Sequence, residues 1–438
     1  MTTDEKDCHI QTHIDKIYMI MSNFELHFKQ GTSDYFLDNH IKDEERITAV
    51  QAKISELFNM KNVCFLFGSG TSCPAIPNMK GLLKKVEEGL KDKSLKRLYD
   101  KIKAHANGNM EEILGVLYSG KFYVEGITEK QESDRFKCSQ LIDIIQEIIF
   151  NDINIDFSSD TQKAVLDTYQ RLYQKVALRN KDLSRISVFT TNNDLYNETA
   201  LDNMNIHYVN GFGGGLHKYF NPALFNYTYS KRMDLSVDKY EPVENMVYLY
   251  KIHGSVNWVY NDNSQNSFFN IKEEPKLLEH NHDKDVIIYP TPTKQNKSLG
   301  TPYVDLFREF QHKLLEHNTV LFVIGYSFSD QHVNDIIYRA LATNTTINVF
   351  VINDLPDDKE ICKIDDKRIF RLWGYKHPME EENKGEMHFF KYTVDNWLPN
   401  VNAFTQDDEI TRGFINKFND LKNNNADSTA TVQLNLFQ

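Results

Sequence analysis

The sequence predicts an α/β protein built on a doubly wound parallel β-sheet. Seven short, continuously apolar runs alternate with longer stretches in which apolar residues recur at helical spacing. Continuous apolar runs of this length are typical of strands that are buried on both faces. Polar or glycine-containing clusters follow most of the runs, at the edge where open α/β sheets bind ligands. The predicted strands are Asn62–Phe67, Ile186–Thr190, Ile206–Val209, Met246–Ile252, Val286–Tyr289, Thr319–Ile324 and Ile347–Ile352.

Helical patterns interrupt and flank this predicted sheet. Between the first two strands, apolar stripes at helical spacing predict a helical insertion over residues 85–185. Residues 1–55 are predicted to form an N-terminal helical segment and are a candidate oligomer interface. The main domain is predicted to span residues 56–355, followed by a C-terminal extension, 356–438. The low complexity of residues 423–438 predicts a disordered tail.

Composition and charge exclude several classes of protein. The chain has 438 residues, and 50 Lys and Arg against 62 Asp and Glu give a formal charge of −12. This balance argues against direct nucleic-acid binding. No apolar window reaches the ~20 residues of a membrane span, so we expect no membrane association. The five cysteines are scattered, which excludes a disulfide framework and a Cys-x-x-Cys zinc site and indicates a reducing, cytoplasmic location.

The first candidate motif is the glycine loop that follows the first predicted strand, Gly68-Ser69-Gly70-Thr71-Ser72. Glycines here let the backbone approach a pyrophosphate, and the start of the next helix attracts its charge. Cys73 stands where the dinucleotide fingerprint has its third glycine. A tight strand-to-helix turn without a ligand explains the motif about as well.

The second motif, Thr190 to Asp194, follows the next predicted strand. Asn192 is suited to orienting a ribose or a water, and Asp194 to accepting a hydrogen bond from an amide. The alternative is an Asx turn or a helix cap formed by Asp194.

The third motif places His253 before Gly254 at the end of another predicted strand. The unperturbed pKa of histidine suits proton transfer near neutral pH, although a single histidine is more often structural. His280 and His282 lie in a polar loop without further ligands, so no metal site is predicted.

Two further strand ends carry short polar side chains. Gly325 and Ser327 follow one predicted strand, and Asn353 follows the last. Such side chains are suited to reading ribose hydroxyls, but either cluster alone could be loop chemistry.

The order of these five motifs resembles that of the sirtuin superfamily: Gly-Ala-Gly-x-Ser, Thr-Gln-Asn-x-Asp, His-Gly, Gly-x-Ser and Ile-Asn. The resemblance covers roughly two thirds of the chain, from Asn62 to Asp354. The phrase Ile324–Asp330 looks particularly like the bacterial SIR2-like branch. The resemblance implies a Rossmann-like sheet of sirtuin type that binds NAD+.

The resemblance also implies a role for each motif. Asn192 and His253 would be catalytic: Asn192 would hold the ribose and a reactive water, and His253 would be the general base. The dinucleotide would be bound by Gly68, Ser69, Gly70, Thr71 and Ser72 at the pyrophosphate, by Asp194 near the carboxamide, and by Gly325, Ser327 and Asn353 near the adenosine ribose. Asn78 replaces the sirtuin Asp in the Ile-Pro-Asp that follows the glycine loop.

Sirtuin deacylases carry a zinc module with two Cys-x-x-Cys pairs after the His-Gly motif, and this chain has none. The resemblance therefore implies a SIR2-like NAD+ hydrolase of bacterial anti-phage defence, without a zinc module, that releases nicotinamide and ADP-ribose. The resemblance also implies control by homo-oligomerisation or by a HerA-type hexameric ATPase partner. The alternatives are an NAD+ or ADP-ribose sensor without catalysis and a protein deacylase.

Overall fold

A computed structural model describes residues 24–108, 110–126, 132–177, 179, 182–233, 236–243, 245–261, 270–275, 285–287, 301–376 and 385–399. The strands are β1 Phe24–Gln30, β2 Ser33–Asp34, β3 Asn62–Phe67, β4 Ile186–Thr190, β5 His207–Val209, β6 Phe212–Gly213, β7 Lys218–Phe220, β8 Ser230–Met233, β9 Ser236–Pro242, β10 Met246–Lys251, β11 Gly254–Tyr260, β12 Ile271–Glu273, β13 Asp285–Ile287, β14 Thr319–Ile324, β15 Asn348–Ile352, β16 Ile369–Lys376 and β17 Gly385–Glu386. The α-helices are α1 Tyr35–Asp38, α2 Arg46–Phe58, α3 Met79–Gly89, α4 Lys93–His105, α5 Met110–Gly126, α6 Glu132–Ile153, α7 Asp160–Ala177, α8 Tyr196–Asn203, α9 Tyr303–Leu315, α10 Gln331–Thr343, α11 Glu360–Lys363 and α12 Phe390–Tyr392.

The main sheet has the order β2-β1-β16-β15-β14-β3-β4-β10-β5, with β17 beside β16. The strands from β16 to β5 pair in parallel, whereas β1, β2 and β17 are antiparallel additions. The chain leaves β3 toward β4 on one side, and β14 occupies the other side. The crevice between β3 and β14 is therefore the position at which open α/β sheets bind ligands.

Both faces of the central strands are buried, as their continuous apolar sequences predict. In β3 every residue is buried, with Phe65 and Phe67 on one face and Cys64 and Leu66 on the other. Phe65 stacks on Phe322 of β14 with ring centroids 5.5 Å apart. The predicted fold class, α/β with a doubly wound parallel sheet, is confirmed.

The predicted helical insertion is present as α3 to α7, which connect β3 to β4. Its apolar stripes join the core on the Phe65 face of the sheet, and Tyr169 and Tyr173 of α7 are fully buried. The insertion therefore covers one face of the sheet beside the crevice.

The N-terminal part of the chain differs from the predicted helical segment over residues 1–55. Residues 1–23 lie outside the described residues, but β1 is a strand that pairs antiparallel with β16. In β1 the apolar Phe24, Leu26 and Phe28 alternate with polar residues, which is the pattern of a half-buried strand. The prediction is wrong for residues 24–34, which form β1 and β2, because the alternation in β1 has the period of a strand and not that of a helix.

The strand β16 belongs to residues that were predicted as a C-terminal extension, yet it pairs in parallel with β15. The main sheet therefore continues past residue 355, while the domain boundaries themselves stay a prediction. The predicted disordered tail, 423–438, lies outside the described residues.

A second sheet has the order β13-β11-β12-β7-β6. The apolar run predicted as Val286–Tyr289 was expected in the parallel sheet, but β13 pairs antiparallel with β11. This prediction is wrong because an apolar run indicates burial without specifying the partner strand. None of the described helices is long and apolar enough to cross a membrane.

Candidate functional site

A cleft of about 240 Å³ opens at the carboxyl ends of β3, β4, β10 and β14. One wall is polar and consists of residues that follow these four strands. The apolar part of the lining includes Leu82 of α3 and Ile149 and Ile153 of α6 from the helical insertion. The polar residues along the cleft are Ser69, Ser72, Asn78, Thr191, Asn192, Asn193, Asp194, His253, Ser327, Ser329 and Asp330.

The glycines of the first motif are required by backbone packing. A Cβ atom on Gly68 would lie 2.5 Å from the carbonyl oxygen of Gly325, and one on Gly70 would lie 2.7 Å from the Gly325 Cα. Gly325 itself has a φ of 64°, in the region that favours glycine. The Gly70 N–H donates to the Gly325 carbonyl at 3.0 Å. Two strand ends are thus joined through their glycines.

The α-helix expected directly after the glycine loop begins only at Met79, where the Asn78 side chain accepts from the Gly81 N–H. A single 3₁₀ turn, Ser69–Thr71, follows β3 instead. The expected helix N-terminus at the loop is therefore absent from this position. Ser69 and Ser72 line the cleft directly.

Asn192 is buried and joins β4 to the glycine loop. Its Nδ2 lies 3.0 Å from the Gly68 carbonyl oxygen, 3.0 Å from the Thr71 Oγ1 and 2.9 Å from the Ser72 Oγ. These contacts engage the amide nitrogen, so Oδ1 is the side-chain atom that can face a ribose hydroxyl or a water.

Asp194 forms the Asx turn that the sequence offered as the alternative, and it also bonds to the glycine loop. Its Oδ1 accepts from the Tyr196 N–H at 3.1 Å, as in an Asx turn at the start of α8. Its Oδ2 accepts from the Ser72 hydroxyl at 2.6 Å inside the cleft. Asp194 therefore shapes the turn and also ties it to the glycine loop.

The glycine loop is also braced from behind by the helical insertion. The buried Tyr169 hydroxyl of α7 donates to the Thr71 Oγ1 at 2.7 Å, and Thr71 donates to the Gly68 carbonyl at 2.9 Å. Burial raises the pKa of Tyr169 above its usual range, so the phenol stays a neutral donor. Thr71 lies behind the cleft wall.

His253 lies in the cleft with its ring beside a carboxylate. Its Nε2 is 3.1 Å from the Asp330 Oδ2, and both side chains are about nine-tenths buried. The His253 carbonyl accepts from the Asn193 side chain at 2.7 Å. Asp330 was not singled out as a site residue, although an Asp that precedes a helical stretch is a recognisable capping signal.

A buried ion pair lies next to the His253 loop and was also missed. The Lys251 Nζ is 3.0 Å from the Glu198 Oε1 and 2.8 Å from the Ser255 Oγ, and it also donates to the Asp194 carbonyl oxygen. Lys251 is only 1% exposed. Burial raises the pKa of Glu198, while Lys251 opposes that shift. Lys251 therefore joins the loop after β4 to the loop after β10.

The last two predicted positions differ in their surroundings. Ser327 lines the cleft, with its Oγ 2.9 Å from the Ser329 Oγ. Asn353 does not line the cleft, and its Nδ2 donates to the Tyr326 carbonyl at 3.1 Å. The cleft thus brings together Ser69, Ser72, Asn192, Asp194, His253 and Ser327, whereas Gly68, Gly70, Thr71, Gly325 and Asn353 brace its walls.

No group of three or more His, Cys, Asp or Glu side chains within the described residues is arranged to hold a metal ion. His280 and His282 lie outside those residues.

A comparison with protein families finds a match for part of the chain. Residues 186–372 match the SIR2-like domain. The match covers less than half of the chain. It includes Asn192, Asp194, His253 and Ser327, whereas the glycine loop lies before it.

Several solved structures are similar over most of their length. A Sir2 homologue mutant in complex with 2'-O-acetyl ADP ribose is 14% identical, with 81% of this chain and 97% of that chain covered and a TM-score of 0.35. A structure on the mechanism and regulation of Sir2 enzymes is 10% identical, with 73% and 93% covered and a TM-score of 0.32. A structure on sirtuin substrate affinity is 13% identical, with 72% and 93% covered and a TM-score of 0.29. A search of curated proteins found no match.

Proposed function

We propose that this protein is an NAD+ hydrolase that cleaves the bond between nicotinamide and ribose. The observation that carries the proposal is the convergence of Ser72, Asn192, Asp194, His253 and Ser327 on one cleft at the switch point of the sheet. The match of residues 186–372 to the SIR2-like domain supports the same reading.

The proposed reaction breaks the C1'–N1 bond, and its electron pair leaves with nicotinamide as a neutral pyridine. A water oxygen bonds to C1', and the water loses one proton to give ADP-ribose. His253 accepts that proton and returns it to solvent. General-base assistance of this kind contributes roughly 10²- to 10⁴-fold to a rate.

Asn192 has a different part in this proposal. Its Nδ2 is bound to the glycine loop, so its Oδ1 holds the ribose or the attacking water. Ser69 lines the same cleft and offers a hydroxyl donor to the pyrophosphate, whereas the Ser72 hydroxyl donates to the Asp194 carboxylate.

The segment after His253 supports hydrolysis over protein deacylation. In sirtuin deacylases a zinc module follows this motif, but here β11 enters a small sheet with an aromatic centre. Trp258 is buried, and its ring centroid lies 4.9 Å from that of Phe212. An apolar cluster of side chains thus follows the His253 motif at the place along the chain where sirtuin deacylases have the zinc module.

The biological part of the proposal rests on the resemblance to SIR2-like effectors. The protein would deplete NAD+ in the cytoplasm of infected bacteria as part of anti-phage defence. Homo-oligomerisation or a HerA-type ATPase partner would control its activity. Co-expression with such an ATPase, followed by purification and measurement of NAD+ consumption, tests this part separately.

The decisive experiment measures nicotinamide and ADP-ribose released from NAD+ by the full chain, with and without the protein of the neighbouring gene. Replacement of His253 by Ala or of Asn192 by Ala should lower turnover by about 10²-fold or more. Release at the wild-type rate by both variants would refute the assignment. Tight binding of NAD+ without release would favour the sensor.

The matched control is His105→Ala, because His105 is an exposed residue in the last turn of α4. This variant should hydrolyse NAD+ as the wild type does. Circular dichroism of all three variants checks that the fold is intact.

A further inference from the structure

We propose that Asp330 is a positioning residue that fixes the tautomer and the orientation of the His253 ring, an inference that rests on the proposed function of His253 as a base. The contact that carries it is the distance of 3.1 Å between the His253 Nε2 and the Asp330 Oδ2. An ionised carboxylate has no hydrogen to donate, so this contact favours the tautomer that carries the proton on Nε2. In the neutral ring the lone pair is then on Nδ1, which becomes the basic atom.

Asp330 is held rigidly by its second oxygen. As the N-cap residue of α10, its Oδ1 accepts from the backbone N–H groups of His332 at 3.0 Å and Val333 at 3.3 Å. The helix that it caps is anchored in the core through Val333 and Ile337, both fully buried. The carboxylate therefore has one oxygen on the helix and one oxygen on the histidine.

The rest of His253 is confined as well. Asn193 donates to its carbonyl at 2.7 Å, and the ring of Phe307 stands edge-on to it with centroids 6.4 Å apart. Phe307 also packs edge-on against His332, the second residue of α10, at 4.3 Å. The start of α10 thus supplies the polar neighbour of the His253 ring and contacts its aromatic neighbour, Phe307.

The substitution Asp330→Asn separates the two tasks of this side chain. Asn is as good an N-cap residue as Asp, so the helix keeps its cap. The amide can either donate to the ring or accept from it, so it no longer selects the tautomer. We expect kcat to fall at least about 10²-fold, with KM within threefold of the wild type and an unchanged melting temperature.

The matched control is Asp92→Asn. Asp92 caps α4 through the N–H groups of Ser94 and Leu95 in the same way, and its side-chain contacts are these capping bonds. This variant should keep full activity and stability. An equal loss of activity in both variants would assign the effect at Asp330 to the cap and overturn the proposal.

A second measurement reads the tautomer without any catalysis. Nitrogen-15 spectra of histidine-labelled protein, with the His253 signals assigned by their loss in His253→Gln, should show the Nε2–H form in the wild type. Asp330→Asn should show a mixture of both forms. A wild-type spectrum with Nδ1 protonated, or an unchanged spectrum and unchanged kcat in Asp330→Asn, would overturn the proposal.

Nicotinamide release and the nitrogen-15 spectra test the proposed hydrolysis and the proposed role of Asp330 separately. If the wild type releases no nicotinamide, the proposed hydrolysis fails, while the nitrogen-15 spectra still decide whether Asp330 controls the ring.

Discussion

The two sides of the cleft are held together by different physical means. On the glycine side, the loop Gly68–Ser72 is held mainly by neutral hydrogen bonds from Asn192 and Tyr169 and by close backbone packing on Gly325, with one bond from Ser72 to the Asp194 carboxylate. On the histidine side, the segment Lys251–Ser255 is held by charged groups, with Lys251 bound to Glu198 and His253 beside Asp330.

This difference has an energetic consequence. Neutral hydrogen bonds contribute modestly and do not depend on pH, whereas a buried charge that loses its partner is costly. Substitutions on the glycine side should therefore change stability through steric fit. Substitutions on the histidine side should change it through charge, with a dependence on pH. The following variants test that contrast.

The largest effect is expected for Lys251→Met, which leaves the Glu198 carboxyl buried without its partner. Breaking a buried pair in this way costs about 3–5 kcal/mol of unfolding free energy. Urea unfolding measures the change. Lys84→Met is the control, because the Lys84–Glu88 pair is exposed and its ions are 3.9 Å apart, and it should leave the urea midpoint unchanged.

The same variant should show a characteristic pH dependence. Burial raises the pKa of Glu198, and removal of Lys251 takes away the contact that lowers it. The folded variant then binds a proton at pH values where the unfolded chain has lost it, so its stability falls as the pH rises above the ordinary glutamate range. The deficit relative to the wild type should be smaller at pH 5 than at pH 8. A deficit that is equal at both pH values would show that the charge of Glu198 is not its cause.

An intermediate effect is expected for Gly68→Ala on the glycine side. The added methyl group would lie 2.5 Å from both the Gly325 carbonyl oxygen and the Tyr326 Cα. Since backbone atoms must move, we expect a loss of about 1–3 kcal/mol, without the pH dependence of Lys251→Met. Gly215→Ala is the control, because a Cβ at Gly215 would meet no atom within 4 Å. Equal stability of the two variants would contradict the close packing.

The smallest effect is expected for Tyr169→Phe, which removes the donor to the Thr71 Oγ1. One neutral buried hydrogen bond contributes about 1 kcal/mol, and Thr71 keeps its bond to the Gly68 carbonyl. Urea unfolding at two pH values should show the same small loss at both. Tyr123→Phe, at an exposed position of α5, serves as the control. A loss as large as that of Lys251→Met would remove the contrast between the two sides.

Much of the fold could be predicted because buried strands have a local sequence signal, a continuous apolar run. The apolar runs of β3, β4 and β14, and the helical insertion between the first two, follow directly from residue periodicity. The alternating residues of β1 have the period of a strand, but the pairing of β1 with β16, which lies in the predicted C-terminal extension, was not predicted. A pairing between such distant segments leaves no local signal.

Part of the site could be predicted from the sequence for the same reason. Ser72, Asn192, Asp194, His253 and Ser327 line the cleft because each follows a parallel strand, and those strand ends meet at one edge. Asn353 also follows a parallel strand, yet its amide bonds to the Tyr326 carbonyl instead of lining the cleft. Position after a strand does not determine which way a side chain turns. The catalytic and binding roles of all these residues stay predictions.

The sequence by itself determined which strands are buried and which polar residues stand at their ends, since both depend on neighbours along the chain. Only the tertiary structure decided that Asp330 faces His253 and that Lys251 pairs with Glu198. It also decided that the glycines meet each other across two strand ends. These contacts join residues from separate segments of the chain. Their energies depend on burial, and burial depends on the whole fold, so no local sequence pattern encodes them.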